Sequence, residues 1–441
     1  MSTYELLCLL SALALIAALL SSKISRIQTT SAITLIALCL SLLLIAGGKL
    51  FDMELHIQAI RGLDQLDFHS LLIDGLLGFL LFAGALNIRL SVLKSQGWEI
   101  LVLSLFSTLL STLIVGWTLW FTAPFTGTIL PFPYCLLFGA LISPTDPIAV
   151  LAIIKKLGAP REISIQIEGE SLFNDGIGLV LFVAMSQWAF SEIPLTLTDI
   201  SWLFIREAIG GLLFGLVIFA VLHYLIMLCD DDSQKMLLTL LAPTTGYVAA
   251  SLLSVSAPLA MVSCGIALGN WTGMQYFNRT GRKSLSRFWF FIEEYFNSLL
   301  FLLIGLLLLL VSFHRENCIL MMLAIPIVLF ARVISVILPY LCFRCFRHYN
   351  PLSEYILIWG GLRGGLALAM AMSLPSGIML IPEKQIDLKE LLMLMTYAVV
   401  MFSILIQGAT IKNTIQKSNT ASINIRKKPS RHANANANVT E

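Results

Sequence analysis

Ser143-Pro144-Thr145-Asp146-Pro147 lies in the middle of an apolar run, and further along the chain Glu168-Gly169-Glu170-Ser171-Leu172-Phe173-Asn174-Asp175 opens another. Both stretches put charge where the surrounding sequence is written for hydrocarbon. An ionisable side chain at that depth costs about 3 kcal/mol on insertion, so such residues face a bundle interior or an aqueous cavity and mark an ion path. The prolines add a second constraint. Each removes a backbone donor, so a helix through this run has to break near its middle. Unwound backbone inside a membrane is tolerated only where it is buried in protein or lines a cavity.

The rest of the chain sets the class. Of 441 residues, 58% are apolar and 12% charged, too few charges to cover a soluble surface. A spanning helix needs about 20 mostly apolar residues. Windows of that kind run over 4–22, 30–48, 70–87, 98–121, 133–154, 162–190, 200–228, 235–252, 257–271, 287–312, 318–343, 354–375 and 390–412. The chain therefore reads as an all-α polytopic membrane protein with about 13 transmembrane helices in residues 1–412. From residue 413 to 441 it turns polar, with Arg426-Lys427-Lys428 and an Ala-Asn repeat, and a short disordered cytoplasmic tail is expected.

An odd number of spans puts the termini on opposite sides. Assigning the tail and alternate loops to the cytoplasm places about 20 of the 28 Lys and Arg inside and about 5 outside, with Arg206, Arg332 and Arg363 left within spans. The expected topology is N-terminus outside, C-terminus inside, in the cell membrane. No basic residue precedes the first span and Lys23 and Arg26 follow it, so it reads as a retained helix and not a secretory signal. The net charge of +2 points to no nucleic-acid partner, since the basic residues sit in short loops. The eight cysteines give no disulfide framework, Cys8, Cys39, Cys135 and Cys264 lying in apolar spans. Cys342-Phe-Arg-Cys345 is half a zinc spacing without a second pair, and no cofactor is expected.

Span 12 contains Gly360-Gly361-Leu362-Arg363-Gly364-Gly365, and clustered glycine should interrupt it as proline interrupts span 5. Seven spans separate the two. Spans 1–6 and 8–13 are then inverted six-helix repeats with broken helices at matching positions, the strongest pointer in a sequence to a transporter's binding site.

At 100° per residue Glu168, Ser171 and Asp175 fall on one face of span 6, and Glu170 and Asn174 on another. Asp175 lies deepest, ahead of Gly176 and Gly178, which permit close helix approach. Desolvation disfavours the bare anion, so such a carboxylate holds either a proton or a small cation, and that competition couples two opposite fluxes. Ser171 offers an oxygen on the same face, and Thr145 a hydroxyl or carbonyl. Asp146 has two readings: it caps exposed amides or bonds to Asn174, or it joins the ion site. Arg363 needs a carboxylate, and Glu170 is the first choice. Arg332 in span 11 poses the same problem. Glu293, Glu294 and Asn297 open span 10 near a span end, where they are either solvated or take part in transport, and Arg332, Glu168 and Glu294 are the candidate accessory groups.

In this order and spacing, SPTDP, EGESLFNDGIGLVLF, Ala331-Arg332-Val333-Ile334-Ser335 and GGLRGGLALAMA resemble the monovalent cation:proton antiporters of the NhaP/NHE type. The resemblance covers nearly the whole chain to about residue 412. It implies that Asp175 is the exchanging carboxylate, that Asn174 precedes it in the Asn-Asp pair of electroneutral members, and that Asp175, Ser171 and Thr145 ligate Na+. It also implies that Glu170 pairs with Arg363, and that the protein is a homodimer with a scaffold of spans 1–3 and 7–10 and a mobile core of spans 4–6 and 11–13. Many relatives carry Glu where this chain has Ala83, a departure that removes one oxygen.

The expected function is electroneutral exchange of Na+, with Li+ or K+ as alternatives, for H+. A Na+-coupled anion symporter on a similar fold is the main rival. A channel would need a continuous polar pore. An enzyme would need a nucleophile with its base, and Gly169-Glu170-Ser171 lacks the second glycine of a nucleophile elbow.

Overall fold

The computed structural model describes residues 3–23, 28–51, 54–65, 67–157, 161–191, 196–311, 313, 317–343, 353–381, 386–412 and 415. The expected tail, apart from Ile415, lies outside the described residues, as do Arg26, Arg344, Cys345, Arg347 and Lys384.

Each apolar window carries helix, though several are divided. The first two are α1 (Thr3–Lys23) and α2 (Thr29–Phe51), and the short α3 (Glu54–Gln65) follows. A π-helical turn, Ser70–Leu77, leads into α4 (Gly78–Leu86), and α5 (Leu90–Thr122) comes next. The fifth window is split into α6 (Phe132–Ile142) and α7 (Ile148–Leu157), and α8 (Arg161–Phe190) and α9 (Leu197–Met227) follow unbroken. Beyond them lie α10 (Asp232–Thr239), α11 (Tyr247–Leu252), α12 (Ala257–Ala267), the single turn α13 (Gly273–Gln275), α14 (Arg279–Leu306) and α15 (Cys318–Phe343). The twelfth window is split into α16 (Ser353–Gly360) and α17 (Gly365–Met372), and α18 (Leu388–Phe402) runs on through a π-helical turn, Ser403–Gln407, within an apolar span that reaches Lys412. Among the described residues, eight helices are long and apolar enough to cross a membrane unbroken, and Ser70–Leu86 and Phe132–Ile142 are shorter apolar helices.

Local chemistry sets where helices begin. Thr196 and Asp199 close a reciprocal capping box at the start of α9, the Thr196 amide donating to Asp199 Oδ2 at 3.0 Å. Asn278 Oδ1 accepts from the Gly281 amide at 2.7 Å ahead of α14. Two elements were not foreseen. α3 alternates Ile57, Ile60 and Leu63 with Glu54, Arg61 and Asp64, so it is amphipathic and too short to span. A small antiparallel hairpin, β1 (Met379–Ile381) with β2 (Ile386–Asp387), links α17 to α18.

Two packed groups of helices emerge. α5 packs on α6, α8 and α15, and α18 packs on α15 and α17. α12 packs on α9 and α4, and α14 on α1, α2 and α4. Small residues let this second group approach backbone to backbone. A Cβ on Gly305 of α14 would stand 2.8 Å from the Thr34 carbonyl of α2, and one on Gly265 of α12 would stand 2.9 Å from the Phe82 carbonyl of α4. Across the seam Leu172 of α8 lies over Gly84 of α4 and Leu300 of α14 lies against Gly365 of α17, while the Ser31 hydroxyl of α2 donates to the Ile404 carbonyl just past α18 at 3.0 Å.

Candidate functional site

The site is built where the two broken helices meet. The Asp146 amide donates to the Leu362 carbonyl at 2.7 Å, an isolated antiparallel bridge between the unwound stretches 143–147 and 361–364. Asp146 Oδ1 accepts from the Ile148 amide at 2.9 Å and so caps the first turn of α7. Of the partners open to Asp146 in the sequence, the structure shows the amide and not Asn174. Gly364 is required here, since a Cβ on it would stand 2.6 Å from Asp146 Oδ2.

Thr145 is the polar hub. Its Oγ1 accepts from Asn174 Nδ2 at 3.1 Å and stands 3.3 Å from Ser171 Oγ, so both faces of α8 converge on one unwound residue. Asn174 Oδ1 in turn accepts from Thr108 of α5. Thr108 was not among the expected site residues, although Ser104, Thr108, Ser111 and Thr112 form a buried stripe at helical spacing in an otherwise apolar span. Gly178 packs directly on Pro144 and Gly176 on Leu259, which seats α8 against the break and against α12.

Arg363 does not take the partner expected for it, and Arg332, whose partner the sequence left open, takes it instead. Glu170 pairs with Arg332 and not with Arg363: Nη1 meets Glu170 Oε1 at 2.6 Å with both side chains buried. Arg332 Nη2 donates to the Leu357 carbonyl at 3.1 Å, one of the last carbonyls of α16 and so without a partner inside its own helix. Arg363, 2% exposed, instead donates through Nη1 to the carbonyls of Ser143 and Pro144. The reason is written in the sequence. In a continuous helix the Ser143 carbonyl would pair with the amide of residue 147, which is proline, and the Pro144 carbonyl with the Ile148 amide, which Asp146 takes. The guanidinium satisfies the two acceptors that the break leaves behind.

Asp175 stands apart from this network. Among the described residues nothing hydrogen-bonds or ion-pairs with its carboxylate, and it lines a cavity of about 490 Å³ between the two groups of helices. α8 supplies Glu168, Leu172 and Asp175 to one wall, and α14 supplies Glu293, Glu294 and Asn297 to the other, with Asp146 and Gly364 at the crossing. Among the described residues, five carboxylates line the cavity and no Lys, Arg or His does. Ser171, Thr145 and Asn174 are buried beside it, outside the lining. Ala83 is wholly buried in the apolar packing of α4, so no oxygen reaches the cavity from that position. Asp146, Asp175 and Glu294 place acidic groups in a confined space, where a proton or a cation offsets their charge.

The family model described as "Sodium/hydrogen exchanger, transmembrane" matches residues 9–417. The chain is 38% identical over 397 residues to the Na(+)/H(+) antiporter NhaP of Pseudomonas aeruginosa, covering 89% of this chain and 91% of that one. It is 31% identical over 353 residues to the Na(+)/H(+) antiporter NhaH of Halobacillus aidingensis, covering 79% and 83%. Its fold is similar to the sodium proton antiporter MjNhaP1 of Methanocaldococcus jannaschii, solved at pH 8, with a TM-score of 0.73 at 19% identity over 94% of this chain and 98% of that one.

Proposed function

This chain belongs to the sodium/hydrogen exchanger family, and from that premise we propose that it exchanges Na+ for H+ across the cell membrane, one for one, with Asp175 as the carboxylate that carries either. Li+ and K+ are the other candidate cations. The observation that carries this reading is Asp175 itself, unpaired in an acidic cavity while both neighbouring arginines are engaged elsewhere. Protonated or cation-loaded, the carboxyl is neutral and can move through the low-dielectric seam; as a bare anion it cannot. Thr145 and Ser171 supply further oxygens beside it, and Asn174 holds Thr145 in place.

Movement follows from the packing. The group made of α5 to α8 and α15 to α18 rocks against α1 to α4 and α9 to α14, with Leu172, Leu259 and Leu300 as greased contacts and the glycines opposite them as clearance. The cavity runs from exposed Ser286 and Phe290 down to Asp175, which supports a state open to the side of the α14 N-terminus, the cytoplasm in the charge-based topology. Two copies pair through the α1 to α4 and α9 to α14 group. An anion symporter is disfavoured, because an anionic substrate would meet carboxylates and no cationic side chain in this lining.

The deciding test is Asp175→Asn in proteoliposomes with a trapped pH dye. Sodium-driven dequenching is expected to vanish while the purified protein stays monodisperse; near-normal exchange in this variant would refute the assignment. Repeating the wild-type assay with and without an imposed potential checks the one-for-one stoichiometry, for which no dependence is expected.

A further inference from the structure

α14 sends one face down into the cavity. Ser286, Phe290, Glu293, Glu294, Asn297 and Leu300 succeed one another at helical spacing, and all six line it. Burial deepens along the face: Glu294 is exposed, Asn297 is 4% exposed, and Leu300 at the bottom is buried. The Asn297 Oδ1 has no hydrogen-bond partner. An unsatisfied buried acceptor costs about 1–3 kcal/mol, and since Asn297 lines the cavity, a turn of its amide toward the cavity gives Oδ1 a partner that the described residues do not supply. The surrounding charge decides the chemistry of that partner. With Asp146 and Asp175 on one wall, Glu294 on the other and no basic residue among the described lining, the cavity draws cations, and amide and carboxylate oxygens are ligands that alkali cations accept.

We propose that Asn297 and Glu294 form a second, outer binding step for the transported monovalent cation, where the partly hydrated ion rests on α14 before transfer to Asp175 on α8. This rests on the exchange function proposed above. The division of labour is chemical. A neutral amide at depth replaces part of the hydration shell without the full charge that would trap the ion, while the exposed carboxylate one turn above it raises the local cation concentration.

The experiment uses the full chain in proteoliposomes. Asn297→Leu is expected to raise the apparent KM for Na+ about tenfold, the loss of one charge-assisted contact, with Vmax within about twofold, and Asn297→Asp to restore a KM near wild type. Glu294→Gln, at an exposed position that folding tolerates, is expected to raise KM about threefold and to make it less dependent on ionic strength. Binding of radioactive Na+ to purified Asp175→Asn protein separates this step from the exchanging carboxylate. Residual weak binding is expected there, and it should disappear when Asn297→Leu is added. An unchanged KM in both Glu294→Gln and folded Asn297→Leu, or no residual binding in Asp175→Asn, overturns the outer step. Normal exchange by Asp175→Asn overturns the role given to Asp175 instead, an outcome that leaves the KM comparison separately readable.

Discussion

Removing Glu170 tests the arrangement of the helix crossing most directly. In Glu170→Ala the Arg332 guanidinium loses a 2.6 Å contact while its side chain stays only 6% exposed, so a buried charge is left with the Leu357 carbonyl alone. Breaking a buried pair from one side costs about 3–5 kcal/mol. Arg332→Ala strands Glu170 by the same logic and at a similar cost. The two losses should not add, and a double-mutant cycle is expected to give a coupling of about 2–3 kcal/mol. Replacing both together by apolar residues of similar volume, Glu170→Leu with Arg332→Met, should recover most of the stability, since neither charge is then left buried and alone. Equilibrium unfolding of purified protein in mixed micelles measures each value. The same cycle with Arg363 should give a clearly smaller coupling, because that side chain is spent on the Ser143 and Pro144 carbonyls. Single losses under about 1 kcal/mol, or a stronger coupling to Arg363 than to Arg332, would refute the pairing.

Two further outcomes follow from the crossing. Arg363→Ala leaves two buried carbonyls unpaired, so it should reduce the yield of folded protein strongly while the fraction that folds keeps its apparent KM for Na+; stable protein with a shifted KM would argue for a direct role in ion binding. Gly364→Ala forces a shift of Asp146, whose carboxylate lies 2.6 Å from the new Cβ, and should cut the maximal exchange rate about tenfold or more with the protein still folded; unaltered turnover would show that the crossing is slack.

Much of this was legible before any coordinates. Prolines and glycines marked both breaks because their effect is local and covalent, and the depth of Asp175 could be counted along a helix. The α8 wheel also separated the Glu170 face from the Asp175 face, but a wheel does not say which neighbour each face meets. Choosing Arg363 for Glu170 assumed that a buried guanidinium needs a carboxylate. It overlooked carbonyls orphaned by Pro147 and by the Asp146 cap, which serve a guanidinium as well. Thr108 was missed because hydroxyls at i and i+4 are common in apolar helices, where they can turn back on their own carbonyls, as Thr112 does toward Thr108 at 2.9 Å. On α14 the sequence places Glu293, Glu294 and Asn297 together near a span end, without saying what they face. That this face lines the cavity, with Asn297 buried in its wall, is a fact of packing, not of pattern.

The bond from the Asp146 amide to the Leu362 carbonyl has a consequence for how this protein varies. It uses main chain on both sides, so swapping side chains at either position leaves the clasp in place, and only proline at position 146 would delete its donor. The buckle between the halves is thereby hidden from ordinary substitution at residues 146 and 362, whose side chains can change while the machine stays fastened.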